Sequence, residues 1–406
     1  MRKVPELRFD GFEGEWEEKK LKETSKIVGG GTPSTKNEEY WDGEINWFTP
    51  SEIDSRRYFS SSERKITEKA LSKSSAKLLD KNKTVLFTSR ATIGEVGLLK
   101  EDSTTNQGFQ SLVIKDDFDL NFMYSIAQTL KRKALSLSVG STFKEISKSS
   151  FEDIEVYTPI KNEQENIGDL FKKIDDLIEI QEDKVSKMED FKKSMLQKMF
   201  PKKDELVPEF RFDGLDGEWG STKLSYISNR VTRRNLENQS KLPLTISSEF
   251  GLVNQLDYYN NRVASKDISN YYLIINGEFA YNKSTSLGAP YGAIKRLDNY
   301  ENGALSTLYI VFEIVENNLD YMKYYFETSL WHKEIYKVSQ EGARNHGLLN
   351  IATNDFFSMR IKLPSLEEQE KIGNFFKNLD TQIENEEKLL DSYKMMKKSL
   401  LQKMFV

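Results

Sequence analysis

The chain has 406 residues, enough for two or three domains of about 150 residues each. It carries 59 Lys and Arg against 64 Asp and Glu, a formal net charge of −5, with no cysteine and only two histidines, His332 and His346. That excludes a disulfide framework and thiolate chemistry, and leaves little material for a histidine metal site or proton relay.

In chain order the first motif is RFDGFEGEW at 8–16, whose Trp16 is expected to anchor the entrance of a domain. A block follows to about 158. It opens with GGGTPSTKNEEYW (29–41), a loop whose backbone N–H groups and hydroxyls, Thr32 and Ser34 among them, could hold a phosphate. Short β-rich runs are predicted at Thr84–Thr88, Val96–Leu99 and Ser111–Ile114, then a helix over Asn121–Leu137 and a glycine-led turn, GSTFKEIS, at 140–147.

After Pro159 the pattern changes. One heptad row reads Ile167, Ile174, Gln181, Met188, Met195, and a neighbouring row Phe171, Ile178, Val185, Lys192, Met199. Apolar residues at a mean spacing of 3.5, interrupted by a polar layer, predict a coiled-coil helix of about 57 Å over 163–200. Asn162 with Glu165 has the spacing of a capping box. Lys202–Glu209, between Pro201 and Pro208, reads as a linker.

The chain then repeats itself. RFDGLDGEW at 211–219 matches 8–16 at seven of nine positions, and Trp219 stands where Trp16 stood. Residues 364–405 match 159–200 at 20 of 42 positions and end KKSLLQKMF against KKSMLQKMF. The second arm has the rows Ile372, Leu379, Glu386, Tyr393, Leu400 and Phe376, Ile383, Leu390, Lys397, Met404, with Ser365 and Glu368 at capping-box spacing. Between the repeats, 220–363 differs from the first block in sequence but keeps its order. Strands are predicted at Tyr271–Ile275, Glu278–Tyr281 and Thr307–Ile314, then a helix at Asp320–Val338 and the turn GARNHGLLNI.

Charge predicts how the arms pair. Residues 163–190 hold ten acids and four lysines; 191–200 hold three lysines and no acid. Residues 367–391 hold eight acids and three lysines; 392–405 hold four lysines and no acid. Parallel arms would set acid against acid, so an antiparallel pair is expected. The expected fold class is α+β: two similar mixed domains joined by two long antiparallel coiled-coil helices, with pseudo-two-fold symmetry. The expected divisions are 1–158, 159–200, 201–219, 220–363 and 364–406.

The net charge is a sum over unlike parts. Residues 151–220 hold 11 bases and 19 acids, whereas 21–150 hold 20 and 17, and 221–360 hold 15 and 14. The two blocks are thus open to nucleic acid. Arg and Lys supply phosphate contacts, and Arg, Asn and Gln read base edges. Candidate DNA contacts are Thr32, Ser34, Arg56, Arg57, Tyr58, Thr88, Ser89, Arg90, Lys131, Arg132, Ser141, Thr142 and Lys144 in the first block. In the second they are Arg230, Arg233, Arg234, Asn282, Lys283, Ser284, Arg344, Asn345 and His346. No GxxxxGK[ST], spaced GxGxxG or adenine-methylation motif is present. His332, Asp175-Asp176 and Glu386-Glu387 are expected to be structural or solvent-facing. No catalytic or metal-ligating residue is assigned. No apolar run nears the ~20 residues of a membrane span, and MRKVPELRFD lacks a signal-peptide stretch, so a cytoplasmic location is expected.

The ordered set of RFDG openings, the GGGTPST loop, GSTFKEIS and the NEQENIGDLF and EEQEKIGNFF arms resembles the DNA specificity subunit of type I restriction-modification systems. The resemblance implies that each block is a target recognition domain reading half of a split double-stranded DNA target, with the arms as spacer. A whole helical turn between half-sites is about 34–36 Å. It also implies two modification subunits docked on the arms, and restriction (translocase) subunits where present. S-adenosylmethionine, ATP and Mg²⁺ would reside on those partners and none on this chain. The second block lacks a TPST loop, so roles do not carry over to it. Other classes fit less well. A structural scaffold does not explain why blocks diverge while arms stay alike, an acidic DNA mimic would need acidic blocks, and a stand-alone methyltransferase would need a cofactor motif.

Overall fold

The computed structural model describes residues 3–140, 144–202, 204–259, 267–286, 288–339 and 349–406. Its contacts divide the chain into a first unit, 1–185 with 386–406, and a second, 186–385. Both boundaries fall inside long helices, the first arm (Lys161–Lys198) and the second (Leu366–Met404). Each unit therefore combines a block, the start of its own arm and the end of the other.

In the first unit the block is bracketed by an antiparallel ribbon of Glu17–Lys20 and Glu155–Thr158. Inside it lies a five-stranded sheet in the order Ser25–Gly29, Gln110–Ile114, Thr84–Phe87, Val96–Leu99, Tyr58–Phe59. A smaller sheet joins Lys65–Ile66, Trp41–Phe48 and Ser103–Thr105. The predicted strands at 84, 96 and 111 are all present. The helix is broken in two, Leu120–Thr129 and Lys131–Leu137.

The second unit repeats the bracket with Gly220–Lys223 and Arg360–Leu363. Its main sheet runs Ser228–Val231, Ile310–Ile314, Phe279–Asn282, Ala293–Arg296, which matches the first four strands of the other. A separate four-stranded sheet contains Pro243–Ser247, Gly251–Asn254, Asn302–Leu305 and Tyr272–Ile275. Here too the predicted helix is two, Leu319–Glu327 and His332–Val338, with buried Trp331 at the break.

The RFDG motif proves to be a clamp. Gly11 and Gly14, like Gly214 and Gly217, have φ between +77° and +90°, the left-handed region that glycine enters without cost. The turn they make lets Arg8 donate to the carbonyls of Gly14 (2.6 Å) and Glu13 (3.1 Å) while its Nε and Nη2 reach Glu163 at 2.7 and 2.8 Å. Arg211 does the same with Gly217, Asp216 and Glu368. Glu163 and Glu368 are buried, so each arm begins tied to its block. This corrects part of the capping expectation. Ser365 Oγ does accept from Glu368 N (3.3 Å), but the Glu368 carboxylate serves Arg211, and Asn162 lies inside a helix that starts at Lys161.

Trp16 packs with Phe122 and Phe405, and Trp219 with Tyr321 and Phe200, so the KMF end of one arm plugs the block of the other. Each ring buried this way contributes about 1.5–3 kcal/mol. The duplication also reaches further upstream than RFDG, because VPEL at 4–7 matches VPEF at 207–210. Leu7 N donates to Lys403 O (2.9 Å) as Phe210 N does to Lys198 O (2.9 Å), and Trp16 N to Lys3 O as Trp219 N to Leu206 O.

Within each unit the arm segments run antiparallel. In the first, Asp175 meets Lys397 (2.7 Å), Glu182 meets Lys394 (2.7 Å) and Lys184 meets Glu386 (2.7 Å). In the second, Lys192 meets Asp380 at 2.8 Å. The polar layer pairs with itself, Gln181 Nε2 donating to the Glu386 carboxylate at 2.7 Å and to its carbonyl at 3.0 Å. Of the seam residues, Ile167, Phe171, Ile174, Val185, Met195, Ile372, Phe376, Leu379 and Ile383 are buried, whereas Ile178, Met188, Leu390, Tyr393 and Leu400 are half-buried. Ile167, Phe171, Ile372 and Phe376 sit in the block cores, so the arm starts serve as core as well as seam. No helix among the described residues is long and apolar enough to cross a membrane.

Candidate nucleic-acid interface

In the first unit three chain segments meet around a recess of about 450 Å³ lined by Arg90, Asn106, Gln107, Lys144 and Glu145 among others. The first is the GGGTPST loop beside it. A Cβ on Gly30 would lie 2.0 Å from the carbonyl oxygen of Asn106, so only glycine lets the loop lie against the 105–108 turn. Gly31 N donates to Thr105 O (2.8 Å), so this amide is engaged within the fold and is not offered to a phosphate. Exposed Thr32 donates its hydroxyl to Gln107 Oε1 at 2.5 Å. Ser34 is exposed while its carbonyl accepts from Trp41 Nε1.

The second segment follows Thr84–Phe87. Thr88 and Ser89, expected at the surface, are fully buried: Thr88 Oγ1 donates to Thr92 O, and Ser89 N and O bond Gly108 and Ile146. Exposed Arg90 pairs with Glu145 at 2.8 Å, and Ala91 beside it has φ +57°, a conformation costing an L-residue about 1–2 kcal/mol. The third segment carries Lys144, exposed at the rim. Ser141 and Thr142 lie outside the described residues.

Five further predicted contacts of this block come out elsewhere. Arg57 is buried, its guanidinium 2.5 Å from Asp175 and from Asn121 Oδ1 and stacked over Tyr124, which removes it from any phosphate. Asp175 is correspondingly buried rather than solvent-facing, because Arg57 and Lys397 both neutralise it. Arg56 is exposed but folded onto Asp54, and Tyr58 is half-buried in the strand Tyr58–Phe59. Lys131 pairs with Glu95, and Arg132 is exposed on the helix beyond.

The second unit puts the equivalent segments in the same topological places, after its first and middle strands. Burial, and secondarily the charge of Arg230, which is exposed on Ser228–Val231, hold the Lys283 pKa below its ordinary value. Lys283 Nζ donates to Ile351 O (2.9 Å), and Asn282 Oδ1 accepts from Ser284 N. The backbone link Leu349 N to Lys283 O matches Ile146 N to Ser89 O. Arg233 is drawn off to Glu278 (2.8 Å), and Arg234 stacks on Tyr272 and donates to Asn270 O. Arg344, Asn345 and His346 lie outside the described residues. His332 is half-buried beside Tyr291, and burial lowers its pKa. Among the described residues no three His, Asp or Glu side chains converge on a metal-sized site.

Sequence reasoning missed Gln107. Its signal is the Asn-Gln-Gly tripeptide between two β-rich runs, a tight turn that displays its middle residue.

The arrangement of two block-and-arm units agrees with known proteins. A family model described as the type I restriction modification DNA specificity domain matches residues 13–190 and again 218–393. The chain belongs to this family. Both specificity-domain copies run from the GEW motif region through the block and into an arm. The chain is 40% identical over 169 residues to the type I restriction enzyme MjaIX specificity subunit of Methanocaldococcus jannaschii. It is 30% identical over 171 residues to the EcoR124I/EcoR124II specificity subunit of Escherichia coli. These stretches are 41% of this chain in both cases, and 39% and 42% of those proteins, so the matches span about two fifths of the relatives' length. The crystal structure of the type I restriction-modification S subunit from M. genitalium superposes with a TM-score of 0.61 at 16% identity, covering 99% of each chain, a likeness of fold.

Proposed function

We propose that this chain is the non-catalytic DNA-recognition subunit of a type I restriction-modification complex, each block reading one half of a split duplex target. The observation that carries this reading is the recess edged by Thr32, Arg90, Gln107 and Lys144. It sets Lys144 and the Arg90–Glu145 pair beside an amide suited to a base edge, on a block that varies between otherwise duplicated units. The arms set the distance between half-sites and dock two modification subunits that methylate adenine, with restriction subunits where those exist. S-adenosylmethionine, ATP and Mg²⁺ belong to those partners, and the complex works in the cytoplasm. The divisions 1–158, 159–200, 201–219, 220–363 and 364–406 serve as reader, arm, linker, reader and arm.

A spacer experiment tests the arms' role. Removing one heptad from an arm shortens it by about 10 Å, roughly three base pairs of DNA. The methylated motif of the shortened complex should change its spacer length. An unchanged spacer would refute the ruler role. A scaffold without DNA recognition would instead give an assembled complex that retains no duplex.

A further inference from the structure

We propose that Gln107 is a base-reading residue that recognises guanine, with Thr32 as its positioning residue. The inference rests on the DNA-recognition reading and specifies its chemistry.

The turn that displays Gln107 is held on both sides. Asn106 N donates to Phe48 O (3.0 Å), and Asn106 Oδ1 accepts from Gly108 N (2.8 Å). A Cβ on Gly108 would stand 2.5 Å from Pro50 Cγ, so the turn is pressed against Pro50 as it is against Gly30. On this rigid base the Gln107 side chain is exposed. A free glutamine there would sample many rotamers and lose that freedom on binding.

Thr32 removes much of that loss. Its hydroxyl donates to Gln107 Oε1 at 2.5 Å, which turns the carbonyl end toward the protein and the NH₂ end away from Thr32. Among the described residues no hydrogen bond engages that NH₂ group. Lys144 shares the recess as a cation for the phosphates that set register, beside the Arg90–Glu145 ion pair.

The end left unengaged is thus a pair of N–H donors. Adenine engages both ends of a glutamine amide, N7 accepting from NH₂ and N6 donating to the carbonyl. Here Thr32 already takes one of the carbonyl's two acceptor positions, which weakens that end as a partner for adenine N6. Guanine presents two neighbouring acceptors, N7 and O6, in the major groove, and suits a donor-only group.

The test uses the full chain assembled with its modification subunits, and measures methylation of duplexes substituted at each position of the wild-type motif. Gln107→Ala should relax one guanine position of one half-site, by about 5- to 150-fold. Discrimination at the other half-site should be unchanged, which also reports that the chain is folded. Gln107→Glu, which exchanges donors for acceptors, should favour cytosine at that position. Thr32→Val should let adenine compete there. Variants that keep both half-sites intact would overturn the proposal. So would an equal loss at every position, the mark of a phosphate or folding role. A wild-type complex that shows no motif would instead overturn the DNA-recognition reading itself.

Discussion

Arg57 Nη1 lies 2.5 Å from Asp175 Oδ2, joining the first block to the arm that leaves it, and both side chains are more than 90% buried. Lys397 completes the cluster at 2.7 Å. The second unit keeps two members of the arrangement, Lys192 and Asp380, and in place of the arginine sets Tyr324, whose hydroxyl donates to Asp380 at 2.7 Å, with Lys323 a second cation at 3.7 Å. The pairs Asp175–Lys397 and Asp380–Lys192 occupy matching repeat positions and fix the antiparallel register inside each unit.

Removing one partner of a buried ion pair exposes the other to an apolar surrounding, at about 3–5 kcal/mol. Since Lys397 still faces Asp175, Arg57→Met should destabilise the chain by about 3 kcal/mol. Its effect on DNA binding should come only through folding. Denaturant unfolding together with salt-dependent DNA affinity checks both parts. A variant of full stability with a reduced salt slope would show Arg57 contacting phosphate instead.

Gly168 and Gly373 interrupt helices in which alanine would add about 1 kcal/mol of propensity. Close approach outweighs this. A Cβ on Gly168 would stand 2.3 Å from Asp119 Oδ1, and one on Gly373 2.6 Å from Asn318 Oδ1. Those two side chains cap the block helices that abut the arms, helped by Gln164 and Gln369, which accept from the Asp119 and Asn318 amides at 3.1 Å. Gly168→Ala and Gly373→Ala should each therefore destabilise by about 1–3 kcal/mol. Thermal melting of each variant measures it, and a higher Tm would contradict the packing argument.

Asp320 gives a pH dependence. Burial alone would raise its carboxyl pKa, but hydrogen bonds from Arg296 (2.8 Å) and Lys377 (3.1 Å) outweigh burial and hold it below the ordinary 3.8. A depressed folded-state pKa contributes stability above the unfolded value and loses it as pH falls through the folded one. The Tm gap between wild type and Asp320→Asn should thus be constant above about pH 5 and shrink below pH 4. A gap that widens on acidification would reverse the sign.

Much of this fold is legible in the sequence because duplication and periodicity are local signals. The arms, their opposed charges, the Gln181 layer and the strands at 84, 96 and 111 needed only spacing. The fate of Arg57 could not be read that way, since its partner Asp175 is 118 residues away and the arginine looks like any loop cation. The break after Glu327 depends on Trp331 finding a buried place, and the buried Thr88 and Ser89 on a loop folding over them. Comparing the two arms position by position does expose the Asp–Lys pairs, since both residues recur at an offset of 205.

The most direct measurement is the methylation motif laid down in cells that carry this chain with the modification subunits proposed for it, against cells that lack the chain. One split motif that vanishes with the chain, and that changes in one half when one block is exchanged, is the predicted result. Methylation of the same sites without the chain, or a complex that binds scrambled duplexes equally well, would contradict it.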